Sequence, residues 1–456
     1  MPASSGTSTL SIEDLRTSVK GRVIAPGDDG YDAARTAFLG GIDRRPAAII
    51  QVAHADDVAK VVALAGATGL ELAIRSGGHS VYAVSDGGIV LDLSAMKAFE
   101  ADPVEQTAWA ETGLTAGEYT NLAAEHGLAT GFGDTGSVGI GGITLGGGVG
   151  YLVRKYGMTI DHLLAAEIVT ANGELLHIDG DTHPDLFWAI RGGGGNFGVV
   201  TRFKFRLHKV ESVVGGMMIL PATAAAIAGF IAEAQGAPDE LSTIANVMPA
   251  PPMPFLAEEH HGRPIIMALM AWAGDVEAGE AVIDRFRALA TPIFDAVKAM
   301  PYPEIYPPDD EEYHPIAAGR TMFIDSVDEQ IAGSILDYLA TSSAMMRVAQ
   351  LRVLGGAMSR VPVEATAFAH RHSRILVNVA AVYDDPVEAE IHEPWVAGFA
   401  SLLQGDDVGA YVAFLDEGEG SIHRAYPGPT LDRLKGVKRR YDPTNLFHFN
   451  QNVAPN

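Results

Sequence analysis

The 456-residue chain contains no cysteine. That excludes disulfides, thiolate metal ligands, cysteine nucleophiles and any cysteinyl link to a cofactor, and it fits a reducing cytoplasm. Positive charge is scarce: 32 Lys and Arg stand against 57 Asp and Glu, a formal net charge of −25. Such a surface repels nucleic-acid phosphates and anionic membranes, so neither is expected as a partner. No apolar run reaches the ~18 residues of a membrane-spanning helix. Met1–Val23 is polar and lacks the apolar core of a secretory leader, so the expected location is the cytoplasm. Close histidines occur only at His260-His261 and His370-Arg371-His372, without metal-ligand spacing, and no metal is expected. The Gly-Lys-Ser/Thr of a Walker loop and the Gly-X-Ser-X-Gly elbow of a hydrolase are both missing.

What is present is apolar material and glycine. The chain is 47% hydrophobic, enough for a large core spread over two or three domains, and its Ala and Gly content is in keeping with a bacterial source. Residues 20–210 alternate strand and helix signals, within an expected first domain of residues 1–210. Val58, Val61, Val62 and Leu64 form a helical stripe, with Asp56 or Asp57 as its cap and Gly69 as its end. Leu70–Ile74 reads as a strand running into Arg75-Ser76-Gly77-Gly78-His79-Ser80. Thr115–His126 reads as a helix, and Asn172-Gly173 as a hairpin turn. Residues 211–415 change character. They are rich in Met, Ala and Pro, with strands expected around Ile265–Trp272, Gln350–Leu354 and Ile375–Val382. Helices are expected around Ala222–Ala234, Val276–Ala290 and Asp328–Thr341. Residues 416–456 form a tail with a basic helix.

Ten of the twenty residues Gly131–Gly150 are glycine, too many for a helix or a plain strand. Val138, Ile140, Ile143, Leu145 and Val149 are interspersed as core anchors, which a flexible linker would lack. The pattern suggests backbone wrapped around a large flat ligand. A second cluster, Gly192–Gly198, lacks the spacing of a dinucleotide fingerprint, which disfavours an NAD site.

These motifs together resemble the berberine bridge enzyme-like oxidases of the vanillyl-alcohol oxidase and p-cresol methylhydroxylase superfamily. The Arg75–Ser80 turn resembles their flavin-attachment loop. Gly136–Gly148 resembles their second flavin loop, Trp188–Thr201 a third signature, and Tyr441–Asn452 their C-terminal signature. The look is nearest to bacterial 6-hydroxynicotine oxidase-type members. The resemblance implies an α+β fold. Its parts would be a two-subdomain FAD-binding domain of the p-cresol methylhydroxylase type and an α+β substrate domain with an antiparallel sheet, the tail returning to the first. FAD would be held by Arg75, Ser76, Gly77, Gly78, His79, Ser80, Thr135, Gly136, Val138, Gly139, Gly142, Gly146, Gly195, Asn196, Gly198, Val200, Asn450 and Asn452. His79 would carry a covalent bond to the flavin 8α-methyl. Relatives that attach flavin twice use a cysteine at the position of Thr135, so a single linkage is implied. Val138, at the family's oxygen gate, implies O2 as acceptor and hydrogen peroxide as product.

On the substrate side the familiar tyrosines are replaced by Val81, Val149 and Phe414, and an asparagine by Ala413. That implies an apolar pocket and a small or apolar substrate. Tyr411, His370 and Tyr426 are the catalytic candidates, with Arg352, Arg371 and Asn378 as further pocket residues. A structural ion pair is an equal expectation for Arg371. The expected reaction removes hydride from a C–H beside a hydroxyl or amine. A dehydrogenase using another acceptor, and a flavin-loaded binding protein without turnover, are the alternatives. The oligomeric state is not legible.

Overall fold

A computed structural model of the chain describes residues 10–308, 310, 312–405, 407–415 and 422–456. The first nine residues of the polar Met1–Val23 segment and the start of the 416–456 tail lie outside them. Three sheets organise the rest. The first has four strands in the order Arg22–Ile24, Ala48–Gln51, Ile89–Asp92, Leu72–Arg75, the last three parallel. The helix Ala55–Thr68 buries Val58, Val61, Val62 and Ala65 beneath them and ends at Gly69 in the left-handed region (φ 69°). Asp57 does not cap this helix; His54 holds the cap position. The Asp57 carboxylate instead accepts N–H bonds from Lys20, Gly21 and Ala53. Burial alone would raise its pKa, but those three donors hold it below the ordinary value.

The second sheet is antiparallel, in the order Phe99–Asp102, Thr107–Glu111, Val199–Arg206, Leu163–Val169, Leu175–Asp179. Its packed helix Ala116–Ala124 starts at a capping box in which Thr115 and Glu118 satisfy each other's backbone N–H. Gly131–Gly150, against the expectation from composition, contains a helix, Ile140–Gly146. Its glycines serve close approach: a Cβ at Gly141 would meet Ser76 Cβ at 3.0 Å, and one at Gly146 would meet Ala413 Cβ at 3.0 Å.

The third sheet has eight antiparallel strands. Its main path runs Phe294–Asp295, Ser212–Pro221, Pro264–Trp272, Leu241–Pro249, Met346–Val353, Ile375–Tyr383, Ile316–Ile324. Helices Ala224–Gly236, Val276–Arg287, Glu329–Leu339 and Ala389–Leu403 cover one face, burying Ala245, Val247, Leu351, Val377, Val379 and Met322. The other face packs Ile244 and Ala271 into the core of the second sheet, and Phe323 and Leu376 against Val149, Phe368 and Tyr411. Among the described residues no helix is long and apolar enough to cross a membrane.

The tail helix Pro429–Tyr441 is fastened by one fully buried ion pair. Lys438 Nζ donates to Asp442 Oδ2 (2.7 Å), Asn196 O (2.7 Å) and Phe447 O (2.8 Å), which uses all three ammonium hydrogens. Asp442 in turn accepts the N–H groups of Leu446 and Phe447. Replacing Lys438 by Met strands that carboxylate in the interior. The expected loss, read from denaturant unfolding, is about 3–5 kcal/mol.

A histidine pair, His162 buried and His208 half-buried, makes the fold acid-sensitive. His208 Nε2 lies 3.0 Å from His162 Nδ1, and burial depresses both pKa values from 6.5 to about 4. A depressed histidine stays neutral in the fold while its unfolded counterpart takes up a proton. Stability present above pH 6.5 is therefore lost as pH falls toward 4. Unfolding measured across that window should show the loss, and His208→Phe should reduce its slope.

Candidate functional site

The parallel strand Leu72–Arg75 ends at the Ser76–Ser80 turn, at the carboxyl edge where open α/β sheets bind ligands. Here two backbones cross in contact. A Cβ on Gly77 would stand 2.1 Å from Gly139 N, and one on Gly139 would stand 2.1 Å from Gly77 N. Ser76 Oγ seals the crossing: it donates to Thr112 O (2.6 Å) and accepts from Gly141 N (3.3 Å). Thus Gly77 and Gly139 are glycines because the loops need each other. Gly142 and Gly195 differ: a Cβ on Gly142 would meet nothing within 4 Å, and one on Gly195 only Asn450 Nδ2 at 4.0 Å.

His79 is half-buried, stacks on Phe38 with ring centroids 4.1 Å apart, and places Nε2 3.2 Å from Ser137 Oγ. It therefore faces the loop that carries Thr135, Gly136 and Val138. Gly136 and Val138 are tied down by backbone: Ala116 N donates to Val138 O and Gly117 N to Gly136 O. Arg75 donates to Ala34 O, and Ser80 Oγ accepts Tyr82 N–H.

The third glycine cluster closes the site from the tail side. The Asn196 amide is fully committed to protein: Nδ2 donates to Gly193 O and Gln451 O, and Oδ1 accepts Val453 N–H. Gly198 permits contact with the neighbouring strand, since a Cβ there would meet Val169 O at 2.6 Å. Val200 is buried beside it, and its carbonyl accepts Thr112 Oγ1. Asn450 donates to Gly195 O and Phe447 O, leaving its Oδ1 buried without a partner, and Asn452 Oδ1 and Thr144 Oγ1 are likewise unpaired. Buried acceptors left this way call for a donor from a ligand. The open glycines and these orphaned oxygens fit a hydrogen-bonding ligand such as a flavin.

The three catalytic candidates fasten backbone. Tyr411 Oη accepts the Gly148 N–H at 2.9 Å, and burial raises its pKa to about 12. Tyr426 Oη donates to Gly192 O at 3.0 Å. His370 pairs with Ala425 O at 3.1 Å, and burial lowers its pKa despite Asp407 nearby. A carbonyl only accepts, so the imidazole donates from Nε2 as the neutral tautomer. Arg371 is wholly buried in a bidentate pair with Asp161 (2.8 Å on both arms), also donating to Thr366.

Arg352, a pocket candidate from the sequence, has a partner that the sequence did not mark. Its guanidinium meets Asp134 through both arms (3.2 and 3.0 Å), Gln350 Oε1 twice and Val149 O once. It bolts the loop before Thr135 to the large sheet. No local pattern signals a partner 218 residues away.

Comparisons with known proteins agree with this geometry. The profile described as "FAD binding domain" matches residues 46–179, and "Berberine and berberine like" matches residues 410–454. The chain is 30% identical to (R)-6-hydroxynicotine oxidase of Paenarthrobacter nicotinovorans, covering 96% of this chain and 97% of that protein. The crystal structure of 6-hydroxy-D-nicotine oxidase from Arthrobacter nicotinovorans superposes with a TM-score of 0.86 at 28% identity, over 96% of this chain and 99% of that one. Glucooligosaccharide oxidase from Acremonium strictum, described with a 6-S-cysteinyl, 8α-N1-histidyl FAD, shares the fold. Its TM-score is 0.85 at 22% identity, over 98% of this chain and 100% of that one.

Two substitutions separate packing from binding. Gly139→Ala should lower the unfolding free energy by about 1–3 kcal/mol through the crossing. Gly142→Ala should leave stability near wild type and lower flavin content, read as the ratio of flavin to protein absorbance.

Proposed function

The chain belongs to the berberine bridge enzyme-like family of FAD-dependent oxidoreductases, and from that premise we propose an oxidase whose flavin is attached once, through His79. The carrying observation is the placement of His79, at the apex of a turn locked against the second flavin loop, with its ring held between Phe38 and Ser137. Thr135 has the position at which doubly linked relatives carry cysteine, and a chain with no cysteine has no thioether to offer. FAD held by the Arg75–Ser80 and Gly136–Gly148 loops would supply the two-electron acceptor for a substrate hydride, with O2 as the final oxidant and hydrogen peroxide as its product.

The protein groups define which substrate can react. Tyr411, with its pKa near 12, stays protonated at neutral pH and serves as a donor and a fastener of Gly148, not as a base. His370 is neutral, but its Nε2 is engaged by Ala425 O. Tyr411 is no base, and the nitrogen that stays basic on His370, Nδ1, is turned against Gly409, so the reading favours a C–H bond beside a neutral amine, which needs no proton removed before hydride leaves. An alcohol is the weaker candidate. Val138, half-buried on the second flavin loop, stands at the position that resembles the family's oxygen gate, and its small side chain supports O2 as the acceptor.

Three measurements test the reading. Acid-precipitated wild-type protein should keep its yellow colour in the pellet, and His79→Ala should release it to the supernatant. Substrate-reduced enzyme should reoxidise promptly in air with one peroxide per turnover; slow reoxidation assigns a dehydrogenase. Failure of every amine and alcohol in a broad panel, 6-hydroxynicotine included, to bleach the flavin assigns a binding protein.

A further inference from the structure

The uncovered face of the large sheet carries a polar row in an otherwise apolar surface. Asn246 on Leu241–Pro249 pairs in register with Gln350 on Met346–Val353, and Gln350 with Asn378 on Ile375–Tyr383. Even-numbered neighbours on these strands share that face; the odd-numbered ones pack under the helices. Strands about 4.8 Å apart make the row roughly 10 Å wide, the span of an aromatic ring with one substituent.

One end of this face is closed. Ile244, Arg352, Leu376 and Phe323 form the next row, all at most 5% exposed, against Val149, Tyr411 and Phe368 of the flavin side. The amide row itself is looser: Gln350 and Asn378 are half-buried. The strand Ile316–Ile324 runs along its edge, from Ile316 beside the Gly40-Gly41 turn near Phe38 to Phe323 near Tyr411. The row therefore lies between the His79 end of the site and the Gly148 end. At its far side Met217, Met248, Met253, Met267 and Met346 gather around Ile219 and Leu256. Thioether side chains mould themselves to apolar shapes.

Hydrogen-bond chemistry fixes the direction of the row. Arginine has only donors, so Gln350 must turn its oxygen to Arg352 and its nitrogen to Asn246 Oδ1 (2.9 Å). Asn246 Nδ2 then donates to Met267 O (3.1 Å). Each amide nitrogen keeps one hydrogen in hand. Asn378, next in line, makes no side-chain hydrogen bond among the described residues. The one charge among these rows, Arg352, is neutralised by Asp134.

We infer that the Asn246–Gln350–Asn378 row is the polar anchor for the substrate, selecting a neutral molecule that carries a hydrogen-bond acceptor, such as a carbonyl or ring nitrogen, on an apolar body seated among the methionines. Anions find no free cation in the row, and cations find no carboxylate there. This rests on the flavin reading above, because it uses the flavin as its reporter.

The test titrates purified holoenzyme with three matched probes, benzamide, benzoate and benzylammonium, following the difference spectrum of the flavin. Benzamide should bind at least about tenfold more tightly than either ion, and Asn378→Leu should weaken it about tenfold while leaving the ions unchanged. Asn378→Asp should shift the preference to benzylammonium, and it guards against a packing defect in the leucine variant. Coloured protein that responds to no probe, prefers an ion, or ignores both substitutions overturns the anchor and leaves the flavin reading standing. Colourless protein overturns both.

Discussion

Two loops far apart in sequence cross at Gly77 and Gly139 with no room between them for one more carbon atom. The rest of the site follows from that contact. It fixes the start of the helix Ile140–Gly146, brings Ser137 to His79, and lets one hydroxyl, Ser76, tie both loops to Thr112. A ligand held by such loops meets a rigid backbone surface. The loops need little ordering on binding, because tertiary contact has already supplied it.

The side chains that look most chemical are largely construction. Tyr411, Tyr426 and His370 each bond a backbone atom of a glycine loop or of the tail, Lys438 is a buried cation with all three hydrogens on protein, and Arg371 is one with both terminal nitrogens on protein. Glycine-rich backbone has many exposed N–H and C=O groups and no side chains to cover them, so the covering groups must come from elsewhere in the chain. A tyrosine or histidine reaching across a domain boundary does this well, since a large apolar ring fills the gap while one polar tip makes the bond.

How much of this was legible depended on whether the cause was local. The Gly-Gly-His turn, the Thr115 helix start and the Gly69 helix end are short-range signals, and the structure has them. The glycines of Gly131–Gly150 were visible, but not which of them touch protein and which leave space; only the fold distinguishes Gly139 from Gly142. The same stretch hid a helix, because residues of poor helical propensity were held in place by packing. The strand Leu241–Pro249 is buried on both faces, so it shows no alternation to read. Helix Ala389–Leu403 carries Pro394 in its interior, which breaks the usual pattern. On the substrate side the sequence showed what had been lost, the tyrosines and asparagine. The amide row replacing them is assembled from three strands and has no linear signature.

The bond between Asp134 and Arg352 also limits how this architecture can diversify. The flavin loop and the substrate sheet are not interchangeable modules, because the pair spans them with the arginine side chain only 6% exposed. A sheet borrowed from a relative without a cation at that place would leave a carboxylate facing an apolar wall. Drift at either position is therefore coupled, and the sheet can be exchanged as a block only together with its partner in the loop.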